Sequence, residues 1–212
     1  YPAFLDVNKR KCVVIGGGDI GEEKVDRLFD CGAHVKVISP KVNFRISEMA
    51  GKSRIEWVSR RYIPGDLEGA FIAILVATHD DVVNAQVADE ASKRNVPLNV
   101  VDVTHLCTFI APSVANRGEV TVATSTGGSS PALARAFRER LESTCSCRLL
   151  EYADLAPLLS WARSVVRENK WTIKAPYWQN CISEELLDLV QLGAEDDARE
   201  KLISCLEKGA QS

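Results

Sequence analysis

Up to about residue 102, short unbroken apolar runs alternate with segments in which apolar residues recur every three or four positions. The first run, residues 12–15, passes into glycines and then into residues 21–31, where Val25, Leu28 and Phe29 share one helical face. Glu22 and Glu23 occupy the first turn of that segment and Gly32 ends it. Residues 35–38, 55–58, 71–77 and 98–101 predict further strands, and the nearly continuous apolar run at 71–77 suits a strand buried on both faces. Thr78, His79, Asp80 and Asp81 form a capping cluster before a helix carrying Val82, Val83, Val87 and Ala88. This β-α alternation predicts a doubly wound parallel sheet that binds ligands at the carboxyl edge of its strands.

Beyond Asp102 the helical crossovers stop. An alternating strand at 120–124 is followed by a hydroxyl- and glycine-rich turn and then a helix, with Ser130 as its cap and Pro131 as its first residue. Leu133, Phe137 and Leu141 form an apolar stripe on that helix, and Arg135, Arg138 and Arg140 lie opposite. The block at 113–142 is too small to bury its own apolar face, so pairing with a second copy is expected. From Leu149 the rhythm is helical: a first helix reaches Val166 with a bend at Pro157, a second runs from its Ser183 cap to Gly193, and a third spans 195–208 and stops at Gly209. Residues 171–178, with Pro176 and three aromatics, predict a bend or loop. The expected divisions are 1–112, 113–145 and 146–212.

At 212 residues and 46% hydrophobic content the chain supports a sizeable core. A net charge of −3 gives no bulk argument for nucleic acid or a charged membrane surface, so any anion site must be local. No apolar run approaches the ~20 residues of a membrane span, and no charged-then-apolar leader precedes the first strand. The chain opens at Tyr1 without a methionine, so residues preceding it are expected. Seven scattered cysteines (Cys12, Cys31, Cys107, Cys145, Cys147, Cys181 and Cys205) suggest reduced, buried thiols in a cytoplasmic protein. Cys145 and Cys147 lack a second pair or a nearby histidine, so no preformed metal site is expected.

Gly16, Gly18 and Gly21 have the G-x-G-x-x-G spacing of a dinucleotide turn between strand and helix. The usual acidic residue at the next strand end is replaced by Ser39, Pro40 and Lys41. Ser39 suits a ribose hydroxyl and Lys41 a 2′-phosphate, so the residues themselves leave both NAD and NADP open. Thr78 and Asp102 belong to the same edge. Asp102 suits either a capping role or an acid/base role beside the nicotinamide position, and His105 in the same loop is a candidate substrate contact. His34 and His79 have no partners at ligand spacing. Ser125, Thr126, Gly127, Gly128, Ser129 and Ser130 combine hydroxyls, glycines and a helix N-terminus; they suit either a helix cap or a clasp for carboxylates.

Four motifs in order are similar to those of the precorrin-2 dehydrogenase/sirohydrochlorin ferrochelatase family of siroheme synthesis: residues 16–21, Asn99 to Asp102, Thr108 to Ser113, and residues 125–134. The resemblance covers about residues 1–142 strongly and the helical tail loosely. It implies an α/β protein: an NAD-binding Rossmann domain, a small α+β dimerisation domain that interlocks with its twin, and a helical C-terminal domain. It also implies NAD-dependent oxidation of precorrin-2, a tetrapyrrole, to sirohydrochlorin, in some members followed by insertion of ferrous iron as substrate. The family's key carboxylate falls on Asp102 and its phosphate loop on Gly16, Gly18, Asp19, Ile20 and Gly21. Its adenosine-side region falls on Ser39, Pro40 and Lys41, where members often lack the acid. Its serine-rich loop falls on residues 125–130, with Thr126 where some members have serine. Lys41, Arg117 and Arg135 are further candidates for the eight carboxylates of the substrate. Two other classes stay open: an NAD-sensing regulatory module, and an NADP-linked dehydrogenase, although no Tyr-Lys or His-Asp arrangement at catalytic spacing accompanies the glycines.

Overall fold

In the computed structural model, which describes residues 1–76, 80–143 and 148–210, two units form, Tyr1–Ala111 and Pro112–Ser212. The first unit runs β1 (Lys11–Ile15), α1 (Asp19–Asp30), β2 (His34–Ile38), α2 (Phe44–Gly51), β3 (Glu56–Val58), β4 (Ile72–Val76), α3 (Asp81–Lys93) and β5 (Leu98–Val101). The strands make one parallel sheet in the order β3-β2-β1-β4-β5. Successive residues of a strand point to opposite faces, and β1 shows it. Cys12 and Val14 pack with Val25 and Leu28 of α1 and Ile46 and Met49 of α2, whereas Val13 and Ile15 pack with Val87 and Ala91 of α3. Helices therefore cover both faces, and the winding reverses between the adjacent strands β1 and β4, where an α/β sheet opens a crevice at its carboxyl edge.

Two local readings change here. Residues 44–51 form a helix that the hydrophobic rhythm did not announce, because only Ile46 and Met49 are buried and Phe44 is 84% exposed. On α3 the buried face is Asn84, Val87, Glu90 and Ala91, while Val82 is exposed. Asp80 accepts from the N–H groups of Val82 and Val83; Val82 points outward, while Val83 and Ala88 pack partly buried against the Val87 and Ala91 side of the core. Glu90 accepts hydrogen bonds from the Tyr62 hydroxyl, the Gly65 and Leu67 amides and Arg94, and so anchors the loop after β3.

The second unit begins with the hairpin β6 (Ser113–Arg117) and β7 (Val120–Thr124), followed by α4 (Pro131–Glu142). The Ser130 hydroxyl accepts from the Leu133 amide at 3.2 Å, as its capping role predicts. A 3-10 turn at Glu151–Leu155 leads to α5 (Ala156–Glu168), α6 (Ala175–Cys181), α7 (Glu184–Gln191) and α8 (Glu195–Ala210), packed around Leu155, Leu186, Leu187, Leu202 and Leu206. The hairpin is tied to this bundle by Arg117, whose guanidinium donates to both carboxylate oxygens of Asp154.

Four expectations for the tail are corrected. Pro157 stands in the first turn of α5 and starts that helix rather than bending it, since proline needs no N–H partner there. Pro176 does the same for α6, in the stretch expected to be a loop. Gly209 lies inside α8, where the Tyr177 ring fills the space of a side chain: a Cβ there would stand 2.8 Å from Tyr177 Cγ. Cys181 and Cys205 are joined as a disulfide rather than standing as reduced thiols. Their separation of 24 residues hides the pairing, which arises because α6 and α8 pack side by side. The expected boundary at 145/146, together with Cys145 and Cys147, falls outside the described residues, as do Thr78 and His79.

Candidate functional site

The turn after β1 is built around missing side chains. Gly16 has φ +119°, and a Cβ there would lie 2.8 Å from Val76 Cβ on β4; a Cβ on Gly21 would collide with the Gly16 carbonyl oxygen. Both positions therefore need glycine so that α1 can start directly on the strand end. Gly18 differs, because nothing lies within 4 Å of the place its Cβ would take. It is the N-cap of α1 and offers no side-chain cap, whereas Asn43, Asp80, Ser130 and Ser183 cap α2, α3, α4 and α7. The first turn of α1 is exposed at Asp19 and Ile20, whose amides stand at the positive end of the helix dipole. An open, uncapped N-terminus of this kind fits the pyrophosphate of a dinucleotide.

The neighbouring loop locks the turn in place. Asn43 donates its amide to the Gly17 carbonyl at 2.9 Å, caps α2 by accepting from the Ile46 amide at 3.1 Å, and reaches the Glu22 carboxylate with its side-chain amide. Sequence reasoning missed Asn43; its signal was an asparagine three residues before Ile46, the first buried position of α2. Ser39 is buried and donates to the Lys41 carbonyl at 2.6 Å, while Trp57 Nε1 donates to the Ser39 carbonyl at 2.9 Å. Its hydroxyl proton is thereby spent on shaping the loop, which leaves Pro40 and Lys41 exposed at the rim.

Asp102 follows the end of β5, with β4 between β5 and β1, so it stands about 10 Å across the sheet edge from the glycine turn at the usual strand spacing. Its φ is +62°, a left-handed conformation that costs a non-glycine residue about 1–3 kcal/mol. The residue occupies the third position of a turn closed by the Val103 amide donating to the Val100 carbonyl at 3.2 Å. The side chain is exposed, and among the described residues its carboxylate has no hydrogen-bond or ion-pair partner. His105 lies in the 3-10 turn Thr104–Leu106, likewise exposed. Strained, solvent-facing and unpartnered, this carboxylate is not a structural cap.

The returning chain then seals the free edge of β5. Thr108 Oγ1 accepts from the Leu98 amide at 2.7 Å, and the Thr108 amide donates to the Leu98 carbonyl at 2.8 Å. Cys107 Sγ accepts from the Val100 amide at 3.1 Å and lies 3.2 Å from the Val100 carbonyl. Buried Asn99 donates to the Phe109 carbonyl at 3.1 Å.

In the second unit, Gly127 and Gly128 have φ +64° and +90° and turn the chain into α4. The Ser130 amide donates to Thr126 Oγ1 at 2.9 Å and the Gly127 amide to Ser125 Oγ at 3.2 Å. Ser125, Gly127, Gly128 and Ser129 are exposed, and Ser130 caps the helix. Arg117 is held by Asp154, whose carboxyl the guanidinium keeps below its ordinary value, and Arg135 donates to Glu139 at 2.7 Å. Among the described residues no group of three or more His, Cys, Asp or Glu could hold a metal ion.

Comparison with known proteins agrees with this geometry. Residues 3–113 match the family model described as "Putative NAD(P)-binding", and residues 117–144 the model described as "Sirohaem biosynthesis protein central". The siroheme synthase of Photobacterium profundum is 36% identical over 203 residues, 96% of this chain and 43% of that protein. The siroheme synthase of Thioalkalivibrio sulfidiphilus is 35% identical, over 99% of this chain and 42% of that protein. The chain thus spans less than half the length of the curated relatives it matches. Among solved structures, SirC, precorrin-2 dehydrogenase, superposes with a TM-score of 0.71 over 98% of this chain and 99% of that chain; at 23% identity the likeness shows the fold. With its glycine turn, uncapped α1 and family match all lying in the same first unit, the chain belongs to the NAD(P)-binding family matched over residues 3–113.

Proposed function

We propose that this chain is an NAD-dependent precorrin-2 dehydrogenase of siroheme synthesis. The observation that carries the reading is the shared sheet edge: an open, uncapped helix N-terminus at Gly18 and, two strands away, an exposed, strained and unpartnered carboxylate at Asp102. The similarity to siroheme synthases supports a tetrapyrrole of that pathway as the substrate.

When bound, NAD accepts a hydride. The residues present supply the rest. Gly16, Gly18 and Gly21, with the amides of Asp19 and Ile20, hold the pyrophosphate, and Ser39, Pro40 and Lys41 border the adenosine side; Thr78 belongs to the same assignment by its sequence position. Oxidation to sirohydrochlorin removes two electrons and two hydrogens from the macrocycle, one as hydride and one as a proton. Asp102 orients the ring nitrogens or takes that proton. The exposed donors at residues 125–130 suit the carboxylates of the tetrapyrrole, with His105 and Arg135 as outer contacts, whereas Arg117 is engaged by Asp154. If a second step inserts ferrous iron, the iron is its substrate, and the same carboxylate would take a pyrrole proton.

A homodimer through residues 113–145 belongs to the proposal. It is supported by Leu133 and Phe137, 49% and 51% exposed on α4, and by the two open edges of the β6–β7 hairpin. No described helix is long and apolar enough to cross a membrane. The cytoplasmic assignment rests on the cofactor pool there, since the Cys181–Cys205 link removes the argument from reduced thiols.

The test is absorbance of reduced nicotinamide on mixing the protein with NAD and enzymatically made precorrin-2, for wild type and Asp102→Ala. Wild type is expected to reduce NAD, and Asp102→Ala to lose at least about 100-fold in kcat at unchanged NAD affinity. No reduction by wild type, with NAD still bound, would make the chain a nucleotide sensor instead; an unimpaired Asp102→Ala would remove the acid/base assignment.

A further inference from the structure

The strain at Asp102 needs something to hold it. A left-handed residue at a strand end relaxes unless the turn that holds it is fixed, and here the turn around Asp102 begins at Val100 and ends at Val103. One side chain touches both. Cys107 Sγ accepts from the Val100 amide at 3.1 Å, lies 3.2 Å from the Val100 carbonyl, and lies 3.5 Å from the Val103 carbonyl. The Asn99 side-chain amide approaches the same sulfur at 3.7 Å. A thiol has one proton and two lone pairs, so Sγ can donate to one of these carbonyls while accepting from the Val100 amide.

The sulfur therefore stands where a sixth strand would pair with β5. Thr108 pairs with Leu98 in the same way one step back, and its bonds go to neither Val100 nor Val103. Among the described side chains of this clasp, Cys107 bonds both ends of the turn.

We propose that Cys107 is the positioning residue for Asp102: by bonding backbone groups at both ends of the four-residue turn around it, the thiol fixes the left-handed turn that presents the carboxylate at the sheet edge. This rests on the dehydrogenase reading above. The thiol takes no part in the chemistry; it sets where the carboxylate is.

The experiment compares wild type, Cys107→Ala, Cys107→Ser, Asp102→Ala and the Cys107→Ala/Asp102→Ala double variant of the full chain. Amide hydrogen exchange at Val100, NAD affinity, and kcat and KM with precorrin-2 are measured. Cys107→Ala is expected to raise Val100 exchange at least about tenfold and to lower kcat about 10–100-fold, as loss of an orienting partner does, with NAD affinity within about twofold of wild type. Serine donates and accepts at the same place, so Cys107→Ser should recover both Val100 protection and most of kcat. In the Asp102→Ala background Cys107→Ala should cost nothing further, since the group it positions is gone.

Unchanged kcat in Cys107→Ala, a serine variant that protects Val100 without recovering kcat, or an additive double variant would each overturn the proposal. If Cys107→Ala does not fold, the serine variant decides it in the same way. A wild type that fails to reduce NAD sinks the dehydrogenase reading instead, and is told apart because every Cys107 outcome is scored against an active wild type.

Discussion

Arg117 donates Nε and Nη2 to the two carboxylate oxygens of Asp154 at 2.8 and 2.6 Å, and this fork joins the β6–β7 hairpin to the 3-10 turn that opens the helical bundle. The pair is partly exposed, with side-chain accessibilities of 39% and 28%, so a moderate contribution is expected. Arg117→Ala should lower stability by about 1 kcal/mol, read as the urea midpoint. Because the guanidinium is already engaged, KM for precorrin-2 should stay within about twofold; a larger rise would mean that Arg117 leaves Asp154 to grip substrate carboxylates.

Two of the fingerprint glycines, Gly21 and Gly18, should separate in their effects. Gly21→Ala drives a Cβ into the Gly16 carbonyl, so both thermal stability and NAD affinity should fall. Gly18→Ala meets no atom within 4 Å, at an ordinary φ of −84°, so the fold should tolerate it. Its methyl would occupy the space offered to the pyrophosphate, and NAD affinity should drop at least about tenfold, or 1.4 kcal/mol, by titration at unchanged melting temperature.

Glu90 sets an acid limit on the first unit. Burial by itself would raise its carboxyl, but hydrogen bonds from Tyr62, the Gly65 and Leu67 amides and Arg94 hold it below its ordinary value of 4.5. A carboxyl lowered by folding stabilises fully above its unfolded value and loses that contribution as pH falls through the folded one. The urea midpoint should therefore decline as pH drops below about 4.5. Glu90→Gln should cost about 2–3 kcal/mol at pH 7 and flatten that decline. An unaltered pH profile in Glu90→Gln would place the acid sensitivity elsewhere.

The Cys181–Cys205 bond closes a loop of 24 residues between α6 and α8. Loop-closure entropy assigns such a link about 3 kcal/mol. Reduction with dithiothreitol, or Cys205→Ser, should lower the unfolding midpoint of the second unit by that order and leave NAD affinity unchanged. Equal midpoints with and without reductant would show the link to contribute nothing.

The strands are legible in the sequence because a parallel sheet covered on both faces demands apolar runs such as 72–76, and the Ser130 and Ser183 caps are legible because their hydroxyls face the orphan amides of the next turn. α2 and α6 are not: two buried residues in eight leave no rhythm, and prolines at 157 and 176 read equally as breakers and as starters. At the site, the glycine spacing announces the turn, but Ser39, which suits a ribose by its place, uses its proton to close its own loop. Asp102 is legible by its position at a strand end. Its left-handed backbone is not, since aspartate visits that region only occasionally and nothing in the flanking valines marks the turn, and neither is the use of Cys107, whose partners are peptide groups with no side-chain identity.

The returning segment at 107–109 also decides what the sheet cannot do. A flank strand normally advertises a row of vacant backbone donors and acceptors, an invitation to the extended segments of other chains. Along β5 those vacancies at Leu98 and Val100 are taken up within the same molecule, and the opposite flank, β3, is only three residues long. Strand-upon-strand growth therefore finds only a three-residue runway, at β3, on the nucleotide-binding unit.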